Sequence, residues 1–151
     1  KGITADIAER IISILKPTGN VFITSERKLE AQFEQYRIAI PPLEIHNALY
    51  FATMYIGDSQ TMAAEAAVLG TPSIRFNDFV GELGYLNELE NLFGLTFGIK
   101  TDDPEKLYQT INALLLIPDL KNQWSEKRKH MLNERVDFTN FMYDLFTDFN
   151  R

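Results

Sequence analysis

The sequence predicts a single α/β domain with a mostly parallel sheet. Two observations carry that expectation. Short β-branched or aromatic runs alternate with helical stretches through the first hundred residues. One stretch, from Met54 to Arg75, reads without interruption as strand, tight polar turn, helix, Gly-x-Pro turn and strand. The length of 151 residues fits one domain able to bury a sizeable core.

Each element has a local cause. Residues 5–15 carry Ile7, Ile11, Ile12, Ile14 and Leu15 as a helical stripe, with Thr4 as N-cap and Pro17 and Gly19 as stops. Residues 21–24, Val-Phe-Ile-Thr, read as a strand. Residues 26–36 place Leu29, Phe33 and Tyr36 on one helical face, and 37–40 form a second short strand before Pro41-Pro42. A helix over 43–52 leads to a strand at 54–57 and an alanine-rich helix at 61–69, which Gly70 closes. A strand at 73–76, a loop at 77–84, a helix at 85–92 and a strand at 95–99 follow. Three helices end the chain, at 104–116, 120–133 and 138–149.

In the last helix Phe138, Phe141, Met142, Leu145, Phe146 and Phe149 repeat at helical spacing. Such a face either docks on the chain's own core or packs on another domain.

Composition removes several function classes. There is no cysteine, so thiolate metal sites and cysteine nucleophiles are excluded. Two histidines, His46 and His130, do not make a His-rich metal centre, and no metal is expected. The net charge of −6 disfavours binding to a nucleic-acid backbone. No apolar run has the roughly 18 residues of a membrane span. The chain opens on Lys-Gly without an apolar leader, which reads as a cytoplasmic fragment whose upstream part is missing.

The chemistry points to the turn Gly57-Asp58-Ser59-Gln60-Thr61, at the carboxyl end of a predicted parallel strand. Free amides at a helix N-terminus attract anions. Ser59 and Thr61 add hydroxyls, so a phosphate or diphosphate suits the place. Glu65, one turn further along the helix, can accept two ligand hydroxyls, as a ribose offers. The plain alternative is a capped helix, with Asp58 or Ser59 as N-cap and Glu65 in solvent. No glycine-rich dinucleotide or P-loop fingerprint is present.

Asp58-Ser-Gln-Thr-Met-Ala-Ala-Glu-Ala-Ala-Val-Leu-Gly-Thr-Pro72 resembles the turn and helix in the C-terminal half of GT-B glycosyltransferases. It is also similar to the Asp-Ser-Gly-Gly turn of the non-hydrolysing UDP-N-acetylglucosamine 2-epimerases. A closer likeness is to an uncharacterised GT-B-like prokaryotic family with a Thr-Met-x-x-Glu-Ala-Ala-x-Leu-Gly-x-Pro string. Phe22-Ile-Thr-Ser-Glu26 and Glu88-Leu-Glu90 add to it.

The resemblance implies a Rossmann-like, three-layer α/β/α domain with extra C-terminal helices, spanning residues 1–151. It would be the nucleotide-sugar-binding half of a two-domain protein. By this analogy Ser59, Gln60 and Thr61 hold the diphosphate and Glu65 the ribose, while Ile40 lies beside the base. Gln60-Thr61 replaces the epimerases' Gly-Gly, which crowds the diphosphate.

In the related enzymes a donor sugar is contacted just past the strand at 73–76, where Asn77 and Asp78 fall here, and His46 is placed to bond a base or phosphate. For these residues a ligand-free loop and a surface histidine are the alternatives. Arg75 either pairs with an acidic neighbour or reaches a donor phosphate. His130, among Lys127, Arg128 and Lys129, reads as a solvated basic face.

The nucleoside diphosphate sugar is expected as substrate, with no cofactor. The missing N-terminal domain, carrying the catalytic base, is the expected partner, so this half is inactive alone. A central strand upstream of Lys1 would be the common neighbour of 21–24 and 54–57. Without it, the gap can close by a shift of strands, or the exposed edge can pair with a second copy as a homodimer. A UDP-sugar 2-epimerase half and a non-catalytic scaffold are the alternative functions.

Overall fold

A computed structural model describes residues 2–148. Helix α1 (Ala5–Leu15) opens the chain. Two single 3₁₀ segments, Ala31–Tyr36 and Pro42–Glu44, precede α2 (Ile45–Phe51). Then come β1 (Tyr55–Gly57), α3 (Gln60–Leu69), β2 (Ser73–Phe76), α4 (Gly84–Asn91) and β3 (Thr96–Ile99). Helices α5 (Pro104–Leu115), α6 (Leu120–Asn133) and α7 (Phe138–Asp148) follow.

The sheet is parallel throughout, in the order β1-β2-β3. The expected Rossmann-like α/β architecture is therefore present. Its register sorts the side chains into two faces. Ile56, Ile74 and Phe97 share one row, and Phe76 and Ile99 another, on an apolar face. Tyr55, Ser73 and Thr96, then Gly57, Arg75 and Gly98, occupy the other face.

Helices α3 and α4 lie on the second face. Ser73 Oγ donates to Ala63 O of α3 at 2.8 Å, and Arg75 reaches Glu90 of α4. Ala63, Ala66 and Ala67 are buried, and their small side chains let α3 approach the strands closely. Helices α1 and α5 pack on each other, and their Ile11, Leu107 and Ile111 join Ile74 and Ile99 in one core. Alternating βαβ connections put helices on both faces of a parallel sheet, and the two-sided burial of β2 follows.

Helix α6 closes the end of the domain opposite the strands' carboxyl termini. Trp124 is buried, and its Nε1 donates to Leu95 O at 2.9 Å. The basic residues of α6 are not a purely solvated face. Lys121 Nζ donates to Tyr50 O, Lys127 Nζ to Gly94 O and Arg128 Nε to Val68 O, at 2.7, 2.9 and 2.7 Å. These carbonyls lie in or just past the last turns of α2, α4 and α3. Each cation meets the electronegative end of a helix.

Residues 21–40 differ from expectation. The strands expected at 21–24 and 37–40 are reduced to one parallel bridge between Ile23 and Arg37. Ile23 N donates to Tyr36 O at 2.8 Å, and Ile38 N to Ile23 O at 3.0 Å. A lone two-segment ribbon has too few partners to extend. The helix expected at 26–36 is only the 3₁₀ segment Ala31–Tyr36, with Phe33 as its single buried side chain. Thr4 precedes α1 without a side-chain cap bond. Among the described residues no strand lies between the Ile23–Arg37 bridge and β1.

Helix α7 buries none of its described side chains. Phe138 is 70% exposed and Phe146 63%. The reading in which this stripe docks on the chain's own core is corrected, and Phe149 lies outside the described residues.

Candidate functional site

Three local features build the turn between β1 and α3. Gly57 ends β1, and its missing side chain leaves room for the ring of Tyr55, whose hydroxyl lies over the Gly57 Cα. Ser59 is the N-cap of α3, and its Oγ accepts from Met62 N at 3.3 Å. Gly70 ends the helix with φ 84, a left-handed conformation that glycine adopts without strain.

The Ser59 cap occupies one amide of the first turn. Those of Gln60 and Thr61 keep no acceptor among the described residues. Thr61 is exposed and Gln60 half-buried.

The structure brings two of the expected site residues together across an interface. His46 lies on α2 and Glu65 on α3, and the two helices pack side by side. His46 Nε2 stands 3.5 Å from Glu65 Oε2. Both side chains reach solvent, His46 at 61% and Glu65 at 35% exposure, so a ligand has access to the carboxylate.

Tyr55 completes the cluster. Burial raises its phenol pKa well above the ordinary value, and the Asp58 and Glu65 carboxylates raise it further. Its hydroxyl therefore stays protonated across the physiological range. Sequence reasoning passed over Tyr55 because it reads as an ordinary strand aromatic. The signal was its i, i+2 spacing to Gly57, which puts both on one face at a strand end.

Asn77 is tied into the protein. It is buried, with Nδ2 donating to Asp58 O at 2.9 Å and Oδ1 accepting from Phe79 N at 3.0 Å. The amide ties the carboxyl end of β2 to the β1–α3 turn and shapes the loop after it. Ile40 is half-buried in the extended segment after the Ile23–Arg37 bridge, ahead of the turn at Pro42–Glu44 that leads to His46.

Asp78 is held below its ordinary carboxyl pKa by a hydrogen bond from the Thr101 hydroxyl, which links the ends of β2 and β3. Arg75 takes the acidic-neighbour reading, pairing with Glu90 at 2.7 Å.

The electrostatics of the turn are acidic. No lysine or arginine pairs with Asp58 or Glu65 among the described residues. Carboxylates and a phenol accept or exchange hydrogen bonds with hydroxyls, while the two free amides of α3 can donate to an anion. No group of three His, Asp or Glu side chains suited to a metal occurs among the described residues. Two surface hollows, of about 420 and 300 Å³, lie away from this turn. The first flanks Val21 and Arg37 and the second flanks Gly98 and Lys106.

Comparison with family models, curated proteins and solved structures returns no match to this chain. No helix among the described residues is long and apolar enough to cross a membrane.

Proposed function

We propose that this domain binds a nucleoside diphosphate sugar, as the donor half of a GT-B-type glycosyltransferase whose other half supplies the catalytic base. One observation carries the reading. Glu65 lies one turn into α3, solvent-accessible, behind two free amides at the carboxyl end of a parallel strand. The carboxylate suits the vicinal hydroxyls of a ribose, with His46 orienting it from α2. The amides of Gln60 and Thr61 suit the diphosphate, and they would stabilise charge developing on the leaving group without a metal.

The acidic surroundings make the hydroxyl contacts the stronger part of this reading and the phosphate contacts the weaker. The 2-epimerase alternative uses the same nucleotide contacts and adds acids and bases from the other half.

A non-catalytic scaffold domain is favoured by a separate observation: Ser59 and Asn77 spend their polar atoms inside the protein. Calorimetric titration with UDP, GDP, CDP and dTDP separates the readings. Saturable binding with a preference for one base supports the donor site. No heat with any of the four, for this chain and for a longer chain carrying an upstream domain, supports the scaffold.

A further inference from the structure

The larger hollow lies at the far end of α1 from the α3 turn. Gly2, just ahead of α1, lies against the Asp58 side chain, and Lys16 is the C-cap at the other end of the helix. The eleven helical residues hold those ends roughly 16 Å apart. Past Lys16 the chain turns back through Gly19 and Asn20 into the extended segment that bonds Tyr36. The hollow between these stretches has a volume of about 420 Å³, within the range of small-molecule sites.

Three kinds of group line it. Phe22 and Tyr36 supply aromatic rings, Phe22 at 65% exposure. Asn20 makes no side-chain hydrogen bond among the described residues. Gln35 spends only its Nε2, on Gln32 O, and keeps Oε1 as an acceptor. Lys16 and Arg37 are the charged lining residues, and no carboxylate lines the hollow. Arg37 donates Nε and Nη2 to Glu34 at 2.7 and 2.8 Å, so Lys16 supplies the uncompensated charge. One exposed phenylalanine is ordinary on a protein surface. Here two rings, two side-chain amides and an unpaired ammonium share one concavity, in a chain whose net charge is −6.

We infer that this hollow binds a planar aromatic anion, a ring that bears a carboxylate or phosphoryl group. Phe22 and Tyr36 take the ring, in the offset-stacked or edge-on contacts that aromatic pairs prefer. Lys16 takes the anion, as a compact charge with three rotatable donors that suits either group. The Asn20 amide and Gln35 Oε1 meet polar atoms on the edge of the ring. The site is separate from the α3 turn and does not depend on the donor reading.

Titration of the ¹⁵N-labelled chain with benzoate, and separately with phenyl phosphate, tests this at constant ionic strength set with chloride. Inorganic phosphate and benzyl alcohol supply the anion and the ring apart from each other. The expected result is a saturable shift of the Asn20 and Phe22 amides with at least one of the two aromatic anions, and about tenfold weaker binding of either half. Benzoate alone would assign a carboxylate, and phenyl phosphate alone a phosphoryl group. Lys16→Ala and Phe22→Ala should each weaken binding about tenfold. Both side chains are exposed, so neither substitution removes core packing. Linear, unsaturated shifts with both aromatic anions, inorganic phosphate binding as tightly as phenyl phosphate, or binding that both variants leave unchanged would overturn the proposal. Shifts confined to Gln60 and Thr61 would place the anion at the α3 turn and overturn it too.

Discussion

Glu90 uses its two oxygens on two partners, Arg75 Nη2 at 2.7 Å and Gly98 N at 2.9 Å. Helix α4 is pinned in this way to both β2 and β3. Removing the carboxylate leaves a buried guanidinium without any charge partner. Glu90→Ala should therefore destabilise the domain by about 3 kcal/mol, read from urea unfolding. A loss below about 1 kcal/mol would mean that Arg75 finds water or another acceptor.

Gly98→Ala tests the same unit from the other side. Its methyl would collide with Val80 and the guanidinium, so a loss of about 1–3 kcal/mol is expected. Asp78 gives the pH dependence at this scale. Its carboxyl is depressed in the folded state, chiefly by the Thr101 hydroxyl. That stabilisation is present above the ordinary Asp pKa and fades as pH falls through the folded value. Asp78→Asn should flatten the acid limb of a stability-against-pH curve, and an unchanged limb would refute this. The spacing of the turn and helix already pointed to Glu65 and the Ser59 cap, and the order of elements to His46. It did not show that Asn77 would turn inward or that Tyr55 would cover Gly57, because both depend on which strand ends lie next to each other.

At the scale of elements, the legible segments were those whose signal is local. Helix α3 and its glycine end, the β2 and β3 strands and helices α5 and α6 follow from periodicity, capping residues and β-branched runs. The sequence of 21–40 reads as two strands and a helix, and the segment is one bridge and a 3₁₀ segment. Strand formation there needs neighbours on both edges, and periodicity carries no information about neighbours.

The role of α6 was likewise invisible. Its cations look like a solvated face until α2, α3 and α4 place their last carbonyls against Lys121, Arg128 and Lys127. Arg128→Ala should cost about 1 kcal/mol in chemical denaturation, because Val68 O loses a charged donor. The same substitution at Lys129, which bonds the exposed Glu126 one turn back, should cost much less.

For the whole molecule, the parallel β1-β2-β3 sheet between helices was legible because βαβ alternation admits few other arrangements. The sheet's carboxyl edge gathers the chemistry. Tyr55, Asp58, Glu65 and His46 meet at one end of it, and Lys100 and Lys106 line a hollow at the other. Amide NMR shifts on adding each of the four nucleoside diphosphates, to the parent chain and to Glu65→Ala, test the donor reading most directly. The account predicts saturable shifts at Gln60, Thr61 and Glu65 with one nucleotide, and roughly tenfold weaker binding in Glu65→Ala. Unshifted amides at α3, or binding that Glu65→Ala leaves unchanged, would contradict it.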